Sequence, residues 1–470
     1  MTRVLEFVVA LIIVFILAVI VGLFLPSHAH IQRSIEISHN PEHIYDVLNN
    51  FKRFPDGAGG GIEALDPGVK FSLSGPAYGP GAAINWKGSK AIGDGTLVNK
   101  SGSIDIENKS TVTWDLTNDW HGKDKVFTLT VDPKQGQRVS TVTWSYDVDY
   151  GWNLIGRYSQ LWIHGDPSTV IQYGLGSLQN MLAGIANVDY SKVNPGLYRT
   201  DATPVLFVST KAQRTVDDID TAEAAAMKEI QAAMGKLGVK AAGPTTIIRT
   251  EWGDTTFTFD LAVPINTSTL TVDGKSYDLT KLPPPPPPGQ EAAPPASASS
   301  AASASSDGQP ASGSSSGAAA SGPAPGSLDK QNHLIVNANV RARMMPAGEV
   351  LAAAWTGESG VQYMVKALEA YAGTHGYAFN ESSAPAFNQL ASLPTVSDDA
   401  KIFRVFLPVT DAPAETPDQK AGRTQAFTAL DPSLWSSENS SSKAAPAKKE
   451  ASKKHEARKR PEHARKRHHG

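Results

Sequence analysis

The chain has 470 residues, 40% of them hydrophobic, and a formal charge of −3 from 43 Lys+Arg against 46 Asp+Glu. At about 150 residues per domain this length predicts two or three folded units. The near-even charge argues against a nucleic-acid binder taken as a whole, and the absence of cysteine excludes disulfides, cysteine nucleophiles and Cys-ligated zinc or iron–sulfur sites.

Phe7–Leu25 is an unbroken run of 19 uncharged residues, about 28 Å as a helix at 1.5 Å per residue, close to the hydrocarbon thickness of a bilayer. Residues 1–30 therefore read as a transmembrane anchor. The alternative is a cleaved signal peptide, for which Ser27-His28-Ala29 offers small residues, although signal cores are shorter. Arg3 and the α-amine precede the span and only Arg33 follows closely. The positive-inside rule then places the globular part in the periplasm, on a single-pass protein of a bacterial inner membrane.

Residues 31–188 read as strand-rich with helical ends. Ile31, Arg33, Ile35 and Ile37 alternate with Gln32, Ser34, Glu36 and Ser38, the pattern of a half-buried strand. Asn40-Pro41 opens a helix through Phe51, with Asn as cap and Pro in the first turn. Strand-like runs follow at Val69–Ser74, Ala82–Trp86, Thr111–Leu116, Lys125–Val131 and Val139–Tyr146. A last helix runs from Pro167 to Ile185, with Val170, Tyr173, Leu178, Met181 and Leu182 as its buried stripe.

Residues 197–282 and 328–412 contain an internal repeat. The first copy is a strand Pro204–Thr210, a helix Asp217–Leu237 with Met227, Ile230, Met234 and Leu237 on one face, a C-cap at Gly238, and strands Thr245–Thr250 and Thr256–Ile265. The second copy runs Leu334–Arg343, then a helix Glu358–Ala372 with Val361, Met364, Leu368 and Tyr371 on one face, then strand Lys401–Val409. Both copies end alike, Val263-Pro264-Ile265 and Leu407-Pro408-Val409. A β-α-β-β unit used twice predicts a pseudo-twofold α+β domain.

Between the copies, residues 283–327 open on six prolines and continue as Ala, Ser, Pro and Gly. Such a segment buries too little apolar area to offset its ordering entropy, and reads as a disordered insertion within one domain. Residues 413–470 read as a disordered tail. From Lys443 the tail carries 11 Lys+Arg and 3 Glu, a net +8, which leaves −11 on residues 1–442. This polybasic arm suits an anionic envelope surface. It has no interleaved aromatic residues to stack bases, so nucleic acid is not an expected partner.

Residues 31–188 resemble the START and polyketide-cyclase-like superfamily (SRPBCC, helix-grip fold). The carrying residues are Leu65-Asp66-Pro67 with Lys70, Ser74-Gly75-Pro76 with Gly79, Gly81 and Ala82, and Trp86 with Gly88. Gly93-Asp94-Gly95, Thr141-Val142-Thr143-Trp144 and Gly174-Leu175 with Leu178 complete the set. The resemblance implies an antiparallel sheet curved around a long C-terminal helix, enclosing a cavity for apolar ligands. Where relatives carry tryptophans this chain has Phe54-Pro55-Asp56-Gly57-Ala58-Gly59-Gly60-Gly61, which implies a wider or more mobile cavity mouth.

The repeated segment resembles the GyrI-like effector-binding domain. This rests on the duplicated unit, on Ala353-Ala354-Trp355-Thr356-Gly357 before the second helix, and on the Val-Pro and Leu-Pro strand ends. Relatives place a ligand-facing glutamate where this chain reads Ala384-Pro385-Ala386-Phe387-Asn388, without an acid. No helix-turn-helix accompanies the domain.

Trp86, Trp114, Trp144, Trp252 and Trp355 fall on or beside predicted strands. Each is either core packing or, on the inner wall of a curved sheet, a contact for an apolar ligand; Phe387 joins them as a ligand-contact candidate. Asp115, Asp147, Asp149 and Glu251 are acid–base candidates in principle, but none sits beside a His, a nucleophile or a partner acid in a recognisable arrangement. Gly57, Gly59, Gly60, Gly61, Gly79 and Gly81 lack the Lys-Ser/Thr of a phosphate loop and read as turns. His455, His463, His468 and His469 lack the partners of a metal site.

No catalytic residue, metal or cofactor is thus expected. The resulting expectation is a membrane-anchored, non-enzymatic protein that binds apolar small molecules or lipids. The alternatives are a polyketide-cyclase-like or hydrolase-like enzyme, and an envelope scaffold acting through its basic tail.

Overall fold

The apolar N-terminal run forms one helix, α1 (Thr2–Phe24). It is long and apolar enough to cross a membrane, and its large side chains stand exposed from Val4 to Phe24. The computed structural model describes residues 2–89, 92–134, 139–159, 166–286, 324–357, 360–391, 397 and 400–412. Most of the 283–327 insertion and the whole 413–470 tail lie outside the described residues, as do the tail histidines.

The chain then enters β1 (His28–Ile37), α2 (Pro41–Leu48), α3 (Gly60–Leu65), β2 (Lys70–Ser74), β3 (Ala83–Lys87), β4 (Gly95–Ser103), β5 (Ser110–Asn118), β6 (Lys123–Pro133), β7 (Ser140–Asp149), α4 (Leu154–Ser159) and α5 (Asp166–Ala183). Asn40 caps α2 as its sequence implies, its side chain accepting from Glu42 N. The helix stops at Leu48, and a separate 3-10 turn at Phe51–Arg53, capped by the Asn50 side chain, replaces the expected continuation to Phe51. The seven strands form one antiparallel sheet in the order β1-β7-β6-β5-β4-β3-β2. Strands β5, β6 and β7 alternate buried and half-buried positions along most of their length, so one face of the sheet carries the core. Into that core pack Ile44 and Leu48 of α2, Ile62 of α3, and Val170, Ile171, Leu175, Leu178 and Leu182 of α5.

Two expectations about this unit are corrected. Tyr173 is 56% exposed, because at about 100° per residue it lies roughly 150° from the centre of the stripe that Val170, Ile171, Leu175, Leu178 and Leu182 define. Gly60 and Gly61 are helical rather than turn residues. Gly57, Ala58, Gly59, Gly61 and Ile62 are buried, and a Cβ on Gly61 would fall 1.9 Å from the Val170 carbonyl oxygen. Glycine there lets α3 lie backbone-to-backbone on α5.

The second unit contains β8 (Gly196–Thr200), β9 (Thr203–Gln213), α6 (Val216–Leu237), β10 (Thr246–Trp252), β11 (Thr256–Pro264), a hairpin of β12 (Thr269–Val272) and β13 (Lys275–Asp278), then β14 (Leu334–Ile335), β15 (Val340–Met345), β16 (Gly348–Thr356), α7 (Val361–His375), β17 (Phe387–Leu390) and β18 (Ile402–Val409). Helix α6 is capped by the Thr215 side chain and closed by Gly238 at φ 67°. The nine-stranded sheet runs β14-β15-β9-β11-β10-β17-β18-β16-β8, so the chain segments β9-α6-β10-β11 and β16-α7-β17-β18 meet at the antiparallel β10–β17 pair.

The strand that precedes α7 is therefore β16, not Leu334–Arg343. The latter region forms β14 and β15, which extend the sheet beyond β9. Strands from both sides of the 283–327 insertion thus pair in one sheet. The two ends of the insertion are also close, since Asn332 Nδ2 donates to the Pro284 carbonyl at 2.7 Å.

Candidate functional site

Three tryptophans share the interior of the seven-stranded sheet. Register brings Trp114 opposite Phe127 and Leu129 opposite Trp144, all on the face that α5 covers. Trp86, Trp114 and Trp144 are buried to 3%, 1% and 0% exposure. Trp114 and Trp144 meet edge-to-face at 5.6 Å between ring centroids, with Phe127 5.3 Å from Trp144 and Phe51 5.3 Å from Trp114. Such pairs are favourable beyond their area alone.

The polar edges of these rings are not matched in the same way. The indole Nε1 atoms of Trp86, Trp114 and Trp144 have no hydrogen-bond acceptor. A buried donor left unpaired costs about 1–3 kcal/mol, and native interiors hold few of them.

The remaining predicted residues go elsewhere. Trp252 lies at the end of β10 on the α6 side, edge-to-face with Phe257, with the Arg214 guanidinium 4.2 Å from its ring centroid. Trp355, near the end of β16, packs 5.7 Å from Tyr363 of α7. Phe387 occupies the face opposite α6 and α7, stacked on Phe406 at 4.7 Å within a cluster that includes Phe207, Ile248 and Val350. The structure therefore gathers Trp86, Trp114 and Trp144 and separates Trp252, Trp355 and Phe387 from them.

The acid–base candidates are surface groups. Asp115 pairs with Lys100 at 3.2 Å, and Glu251 accepts from Thr258 at 3.4 Å. The expectation that no acid lies beside a His is corrected by strand pairing. Register sets His30 opposite Asp147 and His28 opposite Asp149, with Nδ1–Oδ1 distances of 2.6 and 3.5 Å. Both pairs are solvent-exposed, and among the described residues no group of three or more His, Asp or Glu is arranged to hold a metal.

Two buried polar clusters were not singled out in the sequence. In the second unit Arg249 of β10, 8% exposed, donates to Glu369 of α7 at 3.0 Å and to Glu381 at 2.8 Å, while Lys366 reaches Glu369 at 2.6 Å. Of these two acids Glu369 comes from α7 and Glu381 from the loop that leads into the Ala384–Asn388 stretch. Burial pushes the Glu369 carboxyl above its usual range, and Glu381 adds to the shift.

The larger cluster lies where α2 of the first unit meets α7 of the second. Asp46 accepts from Tyr78 at 2.8 Å and from Tyr190 at 2.6 Å. Tyr190 also lies 2.9 Å from Thr374 Oγ1, and His375 Nε2 stands 3.9 Å from Asp46. The Tyr190 ring stacks on His43 at 4.3 Å, and His375 stacks on Tyr371 at 3.8 Å.

Burial holds the His43 imidazole down at about 3, with His39 adding to it. Burial, with Asp46 and Asp189, pushes the Glu42 carboxyl up to about 7. The Tyr190 phenol is raised well above its usual range by burial and by Asp46. At the rim Lys52 pairs with Asp411 at 3.1 Å, and the Tyr363 hydroxyl bonds the Asp189 carbonyl. The sequence signal for this cluster was His43 and Asp46 three positions apart on α2, on the side away from Ile44 and Leu48, which face the core of the first unit.

No family model matches the sequence, and no curated protein matches it. Solved structures similar to the chain include truncated norcoclaurine synthase from Thalictrum flavum, 14% identical over 33% of this chain and 94% of that one, at a TM-score of 0.26. The Zhui aromatase/cyclase from a Streptomyces strain is 10% identical over 33% and 98%, at 0.24. The protein XoxI from Bacillus cereus is 17% identical over 33% and 96%, at 0.23.

Proposed function

We propose that the chain is a membrane-tethered, non-enzymatic binding protein whose first unit takes an apolar small molecule or lipid bearing acceptor oxygens. The observation that carries this reading is the set of three buried indole N–H groups of Trp86, Trp114 and Trp144 with no acceptor. A carbonyl, carboxylate or hydroxyl oxygen on an otherwise apolar ligand answers both the aromatic lining and the unpaired donors. The second unit is an effector-binding partner in this reading, joined to the first through the α2–α7 seam. The basic tail from Lys443 adds attraction to an anionic envelope surface.

The test uses the full chain, purified gently from bacterial membranes into nanodiscs and weighed by native mass spectrometry. The expected result is a stoichiometric adduct containing oxygen, lost or weakened in Trp114→Phe and Trp144→Phe, which keep an aromatic ring and remove the N–H. A protein that arrives empty and takes up nothing from a lipid extract contradicts the proposal.

A further inference from the structure

Immediately after β7 the chain makes a turn and the short helix α4 (Leu154–Ser159), and this element is bound to the last turns of α1. Gly22 is the contact point: a Cβ there would lie 3.1 Å from Tyr158 Cε2 and 3.3 Å from Leu154 Cδ2. The Tyr158 hydroxyl donates to the Ala18 carbonyl at 2.6 Å. Arg157, buried, donates to the Leu23 and Leu25 carbonyls at 3.0 and 3.2 Å, and to Gly151 O at 2.8 Å. The last carbonyls of α1 have no partner within their own helix. The chain has no basic residue in the last turn of α1, so Arg157 supplies from another element the cation that a helix C-terminus favours.

The outward side of the same turn and helix is apolar. Trp152 is 83% exposed and Ile155 is 72% exposed, the indole lying 5.7 Å from the Arg157 guanidinium. Single exposed apolar residues need no explanation. Their depth relative to α1 is what gives these two a meaning. The apolar run Phe7–Leu25 is just long enough to cross a bilayer, with no residues to spare. Ala18 lies seven residues inside its end, about 10 Å along the helix axis, and Tyr158 is bonded to it. An α1 that spans therefore draws α4 into the headgroup and acyl boundary.

We infer that Trp152 and Ile155 form a membrane-interface anchor that inserts beside α1 and fixes the first unit against the bilayer surface. The occupant of this surface is lipid. Trp at the water–hydrocarbon boundary, with its apolar body submerged and its polar edge wet, is the residue type such a position favours. Attraction to anionic lipid contributes nothing here. Arg157 is already engaged by carbonyls, and the neighbouring rim carries Asp124, Asp147 and Asp149 beside His28 and His30. Insertion is consequently expected in zwitterionic phosphatidylcholine and to be unchanged by high salt.

The inference rests on the reading of α1 as a span, and the experiment separates the two. The chain has no native cysteine, so Ile155→Cys, Phe15→Cys and Ser101→Cys in the full chain each carry one environment-sensitive fluorophore in phosphatidylcholine nanodiscs. Spin-labelled lipids with the nitroxide near the headgroup or deep in the acyl chain report depth. The expected result is quenching at position 155 mainly by the shallow nitroxide, at 15 mainly by the deep one, and at 101 by neither. Deep quenching at 15 with a water-exposed label at 155 overturns the interface anchor and leaves the span standing. A water-exposed label at 15 contradicts the span and removes the anchor with it.

Discussion

The interior of the seven-stranded sheet and the seam between the two units are both buried, both rich in rings and both hold polar atoms without a partner, on His39, Glu42 and His43 in the seam and on the three indoles in the interior, yet only the seam ties polar groups of two units to one acceptor. In the seam Asp46 collects two tyrosine hydroxyls, Tyr190 is shared with Thr374, and rings of His43, Tyr190, Tyr371 and His375 stack around them. In the interior the rings meet edge-to-face and three indole N–H groups have no acceptor. An acceptor shared as Asp46 is holds parts together, because removing it leaves both tyrosine hydroxyls buried and short of a partner. A buried donor without an acceptor is a cost to the free protein that an incoming acceptor relieves. The first arrangement suits a latch, and the second is the one on which the proposed ligand binding rests.

The largest effect on this contrast is expected from Asp46→Ala. Two tyrosine hydroxyls lose a charged acceptor at once, a cost of about 3 kcal/mol or more. Because the residue sits between the units, urea unfolding should change from one transition to two, with the first unit and the nine-stranded unit melting apart. A variant that unfolds in a single transition at an unchanged midpoint removes the latch from the description.

Next in size is Gly61→Ala, which places a methyl against the Val170 carbonyl and forces α3 away from α5. Overpacking of this kind costs about 1–3 kcal/mol. The loss should appear in thermal unfolding, while a neighbouring substitution at exposed Glu63 leaves the midpoint unchanged.

Removing a single indole donor is expected to do less to stability than to binding. Trp114→Phe should weaken the ligand about fivefold, the worth of one hydrogen bond of about 1 kcal/mol, as measured by titration of the full chain with its co-purified ligand. An affinity equal to that of the parent protein means the indole edge is not in contact.

The pH dependence of the seam is the finest test. Glu42 has a folded pKa raised to about 7 from 4.5, so its contribution is fully present below 4.5 and is lost as pH rises towards 7. His43 has a folded pKa lowered to about 3 from 6.5, so its contribution is fully present above 6.5 and is lost as pH falls towards 3. Facing these two groups are His39, Asp46, Asp189 and His375. Together they predict a flat optimum between about pH 4.5 and 6.5. Comparison of the parent with Glu42→Gln by chemical denaturation should show the loss above pH 6.5 reduced in the variant; equal profiles contradict this assignment.

Much of the sheet was legible in the sequence because apolar and polar residues alternate where one face is buried, as in β1, β5, β6 and β7. The elements that escaped lack that signal. Strand β16 reads Val350-Leu351-Ala352-Ala353-Ala354 and has four consecutive buried positions, so no alternation can appear. Strand β4 ends in Asn99-Lys100-Ser101-Gly102-Ser103, which resembles a loop until its pairing with β5 is seen. Helix α3 starts on glycines whose reason lies in Val170, more than 100 positions away. The tryptophans were visible as residue types, but which of them share an interior depends on register. The seam was hidden for a similar reason, since Asp46, Tyr190 and Thr374 come together only through tertiary packing.

The central claim is that the indole N–H groups of Trp86, Trp114 and Trp144 are donors awaiting a ligand oxygen. Amide-type NMR spectra of the 15N-labelled full chain in nanodiscs resolve indole Nε1–H signals separately, and the nine tryptophans can be assigned one by one with Trp→Phe variants. In the ligand-free protein these three protons should resonate upfield, as unbonded donors do. Addition of the co-purified ligand should move at least two of them downfield together while Trp252 and Trp355 stay in place. Three signals already at hydrogen-bonded positions before the addition, and unmoved after it, would contradict the claim.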